Sequence, residues 1–283
     1  QRLENNSFIK KNVDLSINKK EKPKVKYITI IKISELDLVL NEIKNTGICS
    51  IDTETDSLNI EKANLIGISL CYNEGFAYYI PINHKNLDDH TLLKEQISER
   101  KVLKIIESIC LDPSILKIGQ NIKYDIRILS KYGIKFKSIA DTMLMSYALD
   151  NGLNRHGIDD LAFAHFNLST TKFKELVGSG KKQITFDYVN IINATKYAAE
   201  DALITLRLFN FLQQRVTKEK SLYIYEKIDK PLIEVLNLME EFGIKIDQKY
   251  LKKLSLEFQK ESQKLEKKIF EITKKNFNIG SPK

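Results

Sequence analysis

Four acidic residues are spaced along the sequence in a way that could build a metal site. Asp52 and Glu54 stand two residues apart in an apolar run typical of a buried strand, so both side chains leave one face, about 7 Å apart. Asp125 follows a second short strand, and Asp201 lies on a helix four residues after Tyr197, on the same side. Carboxylates that converge without basic partners cannot all stay ionised, which indicates bound divalent cations.

The chemistry follows from the ligand type. Carboxylate oxygens favour Mg²⁺ or Mn²⁺ over zinc. Two such cations about 3.5 to 4 Å apart can activate a water and stabilise the attacking and leaving oxygens of a displacement at phosphorus. An acidic pair or a lone Asp is common on protein surfaces. Here, however, the pair ends a strand, Asp125 follows a strand and Asp201 lies on a helix with Tyr197, and these are the positions from which the side chains could converge. The pattern therefore predicts phosphodiester hydrolysis with two divalent cations.

Composition excludes several other classes of protein. The chain has 283 residues, 42% of them hydrophobic and 29% charged, as expected for a globular protein of about two folded units. No apolar run is long enough to cross a bilayer, and the lysine-rich start lacks the apolar centre of a signal peptide. Three cysteines, far apart and without a C-x-x-C pair, predict small buried side chains in a reducing compartment rather than disulfides or a zinc site.

The net charge of +8 is unevenly distributed. Residues 1–26 carry a net +5, residues 245–283 a net +6, and residues 27–244 a net −3. A mildly acidic centre argues against a central domain that grips duplex phosphates, since such binding needs clustered cations. It permits a site that is rich in carboxylates.

Strand patterns precede helix patterns along the chain. Period-two and β-branched runs predict strands at 27–31, 48–52, 64–72, 76–82 and 115–119, and the second to fourth are expected to pair antiparallel. Helical spacing predicts helices at 36–43 (capped by Ser34 and closed by Gly47), 91–110, 121–132, 141–149, 156–166 and 194–215. This order indicates an α/β domain with a mixed sheet flanked by helices over about 27–216. Two long amphipathic helices, 223–242 and 250–277, follow without a closing element, so the chain looks truncated.

Three segments carry a resemblance to a known family. IDTETDSL at 51–58, GQNIKYD at 119–125 and YAAED at 197–201 resemble the three exonuclease motifs of the proofreading domain of family A, DNA polymerase I-type enzymes. The resemblance continues in order through DTML at 141–144, RH at 155–156, QITF at 183–186, PLI at 231–233 and FGIKID at 242–247. It therefore covers nearly everything from about residue 25 onward.

The resemblance implies a domain organisation. It predicts a linker or tail at 1–26, a ribonuclease H-like 3′→5′ exonuclease fold over 27–216, and the first helices of a polymerase domain, in its thumb region, over 217–283. The palm and fingers would lie beyond Lys283. This chain is thus expected to lack polymerase activity, whereas the full protein is expected to be a DNA-directed DNA polymerase of replication and repair.

The resemblance also implies roles for the motif residues. The metal ligands are expected to be Asp52, Glu54, Asp125 and Asp201, with Asp52 bridging two divalent cations. Tyr197 takes the place of the tyrosine that, with Glu54, orients the attacking water. A related branch has a histidine one residue later, where this chain has Ala198, so the tyrosine branch is indicated. A phenol with a pKa of about 10 is a poor base, which assigns Tyr197 to positioning.

Substrate contacts are implied in the same way. Leu58 is expected to wedge between the terminal bases, with Phe173 and Tyr124 assisting, because apolar and aromatic side chains stack on any base. Gln120, Asn121 and Arg155 are expected to contact sugar, base or phosphate. The expected partners are single-stranded or frayed 3′ DNA ends and, through the full-length protein, primer-template DNA. A monomer with no membrane partner is expected, in the cytoplasm at the bacterial nucleoid, with an organellar source left open.

The leading hypothesis is metal-dependent 3′→5′ hydrolysis of single-stranded DNA ends that releases nucleoside 5′-monophosphates. One alternative is an RNA-trimming exonuclease with the same four acids. Another is a catalytically silent scaffold or strand-binding domain, although such domains typically lose carboxylates. The basic ends of the chain could also have no functional role.

Overall fold

The computed structural model describes residues 25–152 and 155–281, except for the side chain of Lys181. One mixed sheet lies at the centre of this part of the chain. Its strands are β1 (Lys26–Thr29), β2 (Ile48–Thr55), β3 (Leu65–Asn73), β4 (Phe76–Pro81), β5 (Leu116–Gly119) and β6 (Ile139–Asp141). The spatial order is β1-β4-β3-β2-β5-β6. The antiparallel pairing of β2, β3 and β4 confirms the prediction, and the outer strands join in parallel. The linker expected at 1–26 lies, up to residue 24, outside the described residues.

Helices cover both faces of this sheet. They are α1 (Ile33–Thr46), α2 (Glu99–Leu111), α3 (Ile122–Ser130), α4 (Thr142–Asp150), α5 (Ile158–Phe166), α6 (Phe173–Val177) and α7 (Ile191–Lys218). Because strand side chains alternate, Cys49 and Ile51 of β2 enter the core shared with α1 and α2. Ser50 points the other way, and its hydroxyl donates to the carbonyl of Ala202 in α7 (2.7 Å). The result is a three-layer α/β domain, as the sequence predicted.

Small residues bring α7 close to the sheet. Ala194, Ala198, Ala199 and Ala202 are all fully buried, and none has a side chain that would hold the helix away from β2, β3 and β4. The hydroxyls of Thr29 and Thr195 add a hydrogen bond of 2.7 Å between β1 and the helix. Side chains of α7 therefore reach the same face of β2 that carries Asp52 and Glu54.

Several predicted helix starts were wrong, beginning with that of α1. Helix α1 begins at Ile33 with Lys32 as its cap, so Ser34 is not the cap. The Glu35 carboxylate accepts from the backbone N–H groups of Ile31 and Lys32 (3.3 Å each), so the third residue of the helix binds back to the cap, as the Glu of a capping box does. Gly47 does end the helix, in the left-handed conformation, as predicted.

The helix predicted at 91–110 begins only at Glu99. The Gln96 amide accepts from the backbone N–H of His84 (2.7 Å) and donates to its carbonyl (3.0 Å). These bonds hold the preceding segment as a loop despite its helical spacing. Strand β6 and helix α6 were not predicted, because three and five residues are too few to show a period. Asp141 ends β6 and caps α4 rather than starting the helix.

The later helices also differ from the prediction. The helix expected at 223–242 is divided into α8 (Leu222–Ile224), a π-helical turn (Tyr225–Asp229) and α9 (Lys230–Phe242). Tyr225 is buried, and its hydroxyl accepts from the backbone N–H of Asp141 (3.0 Å). A first compact unit ends at Asn237, and a second, from Leu238 onward, contains α10 (Gln248–Thr273). Among the described helices, none combines the length and apolar character that a membrane span requires.

Gly67 of β3 provides a test of the packing that supports the sheet. Its Cα lies against the phenol ring of Tyr79, so an added Cβ would overlap that ring. We expect Gly67→Ala to lower the free energy of unfolding by about 1 to 3 kcal/mol, measured by urea denaturation. Gly280→Ala is the control, because a Cβ there meets only the Asn278 side-chain oxygen at an ordinary 3.5 Å. Equal stability of the two variants would contradict this account.

Candidate active site

Three carboxylates converge over the centre of the sheet. Asp52, Glu54 and Asp201 each offer an oxygen, and these oxygens lie within 4.8 Å of one another. The first two leave the same face of β2, and the third descends from α7. Glu54 and Asp201 are 8% and 9% exposed, respectively. The close approach of α7 to the sheet therefore creates the cluster.

Burial and mutual repulsion act on these groups. Burial raises the pKa of Asp52 to about 7. Burial also raises the pKa of Glu54, as do the charges of Asp52 and Asp201. The pKa of Asp201 is raised by burial and then by Asp52. The described residues that line the surrounding cleft include no Lys or Arg, so no side-chain cation there offsets the repulsion.

This donor set fits divalent cations. The oxygens are hard, close together, largely removed from water and not compensated by a basic side chain. Ser69, which pairs with Asp52 across β2 and β3, also has a buried hydroxyl for which the described residues provide no hydrogen-bond partner.

Asp125 is not one of the three clustered carboxylates. It sits in the first turn of α3, only 2% exposed. Its Oδ1 accepts from the backbone N–H (2.8 Å) and the hydroxyl (2.6 Å) of Thr53. Burial and the nearby charge of Asp52 raise its pKa, whereas the Thr53 bonds lower it. The structure thus places Asp125 next to the cluster and ties it to the backbone of the strand that carries the cluster.

Tyr197 stands one turn before Asp201 on α7, and their side chains form a hydrogen bond. Burial and the charges of Asp201, Glu54 and Asp52 raise the pKa of the phenol. The hydroxyl therefore stays protonated at neutral pH and acts as a hydrogen-bond donor. The positioning role that the sequence predicts for Tyr197 requires a protonated phenol of this kind.

A cleft of about 440 Å³ opens beside the carboxylates, and its lining includes Leu58, Tyr124 and Phe173. Leu58 is 92% exposed. Phe173 stacks on Phe186, with ring centroids 6.2 Å apart, and meets the edge of Tyr197 at 6.1 Å. The structure therefore brings the three predicted apolar contacts to the same cleft as the catalytic candidates.

The other predicted contacts lie elsewhere. The Gln120 amide donates to the carbonyl of His156 (2.8 Å) and accepts from the hydroxyl of Thr142 (2.5 Å). Asn121, in the left-handed conformation with φ 60, lines a separate cavity of about 210 Å³. Arg155 is exposed. None of these three side chains lines the carboxylate cleft as the described residues form it.

The sequence reading missed a buried support beneath the cleft. The Tyr79 hydroxyl lies 2.7 Å from Nε2 of His84, whose Nδ1 lies 3.0 Å from the carbonyl of Val189. Burial lowers the pKa of His84 to about 4, so the ring is neutral. Nδ1–H then donates to Val189, which leaves Nε2 to accept from Tyr79. The Tyr79 ring crosses Gly67, the partner of Glu54 in the sheet register. An isolated glycine within a β-branched strand was the available signal.

Thr53 and Phe186 were also missed. Thr53 stands between the two predicted acids and binds Asp125 through both its backbone and its hydroxyl. Phe186 is buried under Phe173. The motif QITF contains Phe186, but its spacing alone does not show which side chain forms the base of a cleft.

The family comparison agrees with this geometry. A family model described as a 3′–5′ exonuclease matches residues 27–217. The chain belongs to the 3′–5′ exonuclease family of DNA polymerase I-type enzymes. As a member of that exonuclease family it is a nuclease, and the prediction made from its motifs is confirmed at this level.

Similar proteins point the same way. The chain is 39% identical over 270 residues to DNA polymerase I of Rhizobium leguminosarum, covering 91% of this chain and 27% of that protein. It is 35% identical over 263 residues to DNA polymerase I of Pseudomonas aeruginosa, covering 92% of this chain and 28% of that protein. The chain thus spans somewhat more than a quarter of the length of these relatives. They do not favour the alternatives of a silent scaffold or an RNA-trimming enzyme.

Solved structures share the fold. The POL domain of Pol1 from M. smegmatis, in complex with DNA primer-template and dNTP, superposes with a TM-score of 0.62 at 20% identity, over 90% of this chain and 39% of that one. Brucella melitensis NrnC gives 0.56 at 21% identity, over 79% and 98%. Escherichia coli RNase D gives 0.55 at 17% identity, over 76% and 51%. These likenesses confirm the predicted ribonuclease H-like exonuclease fold.

The burial of these carboxylates, together with the repulsion among them, predicts how stability depends on pH and metal. The pKa of Asp52 is raised from 3.8 to about 7, so between these values the folded protein binds more protons than the unfolded chain. The stability of chelator-treated protein should therefore fall as pH rises through this window. We expect Asp52→Asn to melt above wild type at about pH 8 in chelator, by about 2 to 4 °C per kcal/mol of repulsion removed.

Metal addition provides the second half of this test. Mn²⁺ should raise the melting temperature of wild type, because it neutralises the cluster, and should raise that of Asp52→Asn much less. Asp37→Asn, an exposed acid of α1, is the matched control and should behave as wild type. A lower melting temperature for Asp52→Asn in chelator would argue against uncompensated repulsion.

Proposed function

We propose that this chain is a metal-dependent 3′→5′ proofreading exonuclease that hydrolyses the terminal phosphodiester of single-stranded or frayed DNA and releases nucleoside 5′-monophosphates. The observation that carries the proposal is the convergence of Asp52, Glu54 and Asp201 beside Tyr197, in a cleft with an apolar rim. The family to which the chain belongs supports it.

The metal ligands follow from the donor set. Asp52, Glu54 and Asp201 would hold Mg²⁺ or Mn²⁺, with Asp52 shared between two ions and Asp125 completing the set beside it. When bound, the cations lower the pKa of water and neutralise charge that develops on phosphate oxygens. Thr53 keeps Asp125 oriented through its two hydrogen bonds to Oδ1.

Glu54 and Tyr197 would orient the attacking water. The single O–H of the Tyr197 phenol donates to Asp201, so its oxygen can accept from the water, as can the Glu54 carboxylate, and together the two groups fix the direction of the water's lone pair. The Tyr79 and His84 pair supports this arrangement from below, because the Tyr79 ring fills the space at Gly67 opposite Glu54. Tyr197 acts here as a positioning group, not as a base.

The cleft suits unpaired bases. Leu58, Tyr124 and Phe173 supply apolar and aromatic surface on which any base can stack. The absence of Lys and Arg among the described lining residues fits weak capture of a frayed end rather than tight duplex binding. Gln120, Asn121 and Arg155 lie outside this cleft, so a contact from them requires a strand that extends beyond it.

The organisation of the larger protein is also part of the proposal. We place the exonuclease domain at 27–216 and the start of a polymerase domain, with thumb helices, at 217–283. The whole protein would be a monomeric DNA polymerase of replication and repair that acts on primer-template DNA in the cytoplasm at the nucleoid. Its relatives, named as DNA polymerase I in bacteria, support this assignment.

Removal of one metal ligand tests the site. Asp201→Ala should lower the rate of 3′ shortening of a 5′-labelled single-stranded oligonucleotide with Mn²⁺ by on the order of 10² to 10³, because a carboxylate of the cluster is lost. The assay resolves products on a sequencing gel and repeats the reaction on RNA of the same sequence. Asp37→Ala is the charge-matched control. Undiminished activity of Asp201→Ala would reject the site, and faster RNA shortening would reject the substrate.

Removal of one hydroxyl tests the positioning role. Tyr197→Phe keeps the ring that meets Phe173 but loses the hydroxyl, which donates to Asp201 and can accept from the water. We expect kcat to fall by up to about 10²-fold with little change in KM, because ground-state binding of the strand uses the ring. Steady-state kinetics on the single-stranded oligonucleotide provide both constants. A raised KM at constant kcat would contradict this assignment.

A further inference from the structure

The loop 56–64, named here the rim loop, follows β2 directly and carries Leu58 at the edge of the carboxylate cleft. Its two ends are bound to each other: the Asp56 carboxylate accepts from the backbone N–H (2.8 Å) and the side-chain amide (2.7 Å) of Asn64. Inside it, the Asn59 carbonyl accepts from the N–H groups of Lys62 and Ala63 (2.9 and 2.8 Å). The rim loop is therefore a closed unit with a defined backbone.

One face of α3 and its C-terminal cap fastens this loop. Tyr124, Arg127 and Lys131 are spaced by three and four residues, so they project on one side of the helix. The Tyr124 hydroxyl donates to the Ser57 carbonyl (3.1 Å), and the Arg127 guanidinium bonds the Glu61 carboxylate (2.9 Å). The Lys131 ammonium donates to the carbonyls of Ile60 (2.9 Å) and Ala63 (2.5 Å). The three side chains hold the loop near both ends and in the middle.

These attachments are not equal. Glu61 is 77% exposed, so its pair with Arg127 is screened by water and contributes little. Lys131 is also an exposed residue, but it makes two charge-assisted bonds to main-chain carbonyls, the one to Ala63 partly buried, and these bonds act on the backbone itself. Of the two cations, Lys131 therefore has the larger influence on where the rim loop sits.

The same helix is anchored to the strand of the metal site. Asp125 of α3 binds Thr53 of β2, between Asp52 and Glu54. Helix α3 thus connects the carboxylate strand to the rim loop. It fixes the backbone that carries Leu58 relative to the carboxylates.

We propose that Lys131 is a specificity-determining residue, which holds the rim loop so that Leu58 can separate a terminal base pair. This inference rests on the proposed exonuclease function. A paired 3′ end must unpair before its last phosphodiester reaches the carboxylates, and an apolar edge held in place loses less entropy when it inserts. A single strand needs no such separation. Lys131 contacts no substrate itself and acts through the loop.

The test compares two substrates of one sequence, a single-stranded oligonucleotide and the same strand paired to its complement with a recessed 3′ end. Lys131→Met keeps the aliphatic stem and loses both donors. We expect the rate on the paired end to fall on the order of tenfold and the rate on the single strand to change by less than about twofold. Lys131→Arg should restore the ratio, because a guanidinium can donate to both carbonyls. Lys135→Met, an exposed lysine, is the charge-matched control.

A second measurement does not depend on hydrolysis. A duplex with 2-aminopurine at its 3′ terminus, bound in the presence of Ca²⁺, should gain fluorescence with wild type and Lys131→Arg and gain less with Lys131→Met. Melting temperatures check that all variants fold. Equal loss on both substrates, or no change in either the rate ratio or the fluorescence, would overturn the proposal. If wild type shortens no strand, the proposed function fails, and the fluorescence alone decides the role of Lys131.

Discussion

The mutual repulsion of buried carboxylates is the constraint on which this domain depends. Asp52, Glu54 and Asp201 lie within reach of one another, largely shielded from water and without a basic side chain in the described lining of the cleft. Folding must bring them together against this repulsion. The close packing of α7 through its alanines and the hydrogen bond from Ser50 to Ala202 contribute favourable free energy that opposes this repulsion, and a bound cation of the kind proposed above would offset more of it.

Hydrogen bonds on both sides of β2 hold the residues around the carboxylates. Thr53 alternates away from the cluster and binds Asp125, so one strand presents its charged face to α7 and its other face to α3. Below the cleft, the Tyr79 hydroxyl donates to Nε2 of a neutral His84, and Nδ1–H of His84 donates to the carbonyl of Val189. Asp125 and Tyr79 are thus each held by a hydrogen-bond partner near the carboxylates, a condition for fixed geometry in a low-dielectric interior.

The sequence predicted the parts of the site that rest on local periodicity. Alternation along β2 placed Asp52 and Glu54 on one face, and the four-residue spacing of Tyr197 and Asp201 placed them on one side of α7. What it could not predict depends on contacts between distant segments. The tie between Thr53 and Asp125, the commitment of the Gln120 amide to His156 and Thr142, and the loop held by Gln96 each arise from partners that no local pattern identifies.

The fit between Gly67 and Tyr79 has a consequence for how such a protein can change over generations. A residue larger than glycine at position 67 fits without overlap only where position 79 carries a side chain smaller than tyrosine. A smaller side chain at position 79, with Gly67 kept, leaves a void opposite Glu54. Neither replacement is neutral alone, so lineages that carry this pair are held to it. Variation in this region is therefore expected to appear as joint substitutions rather than as independent ones.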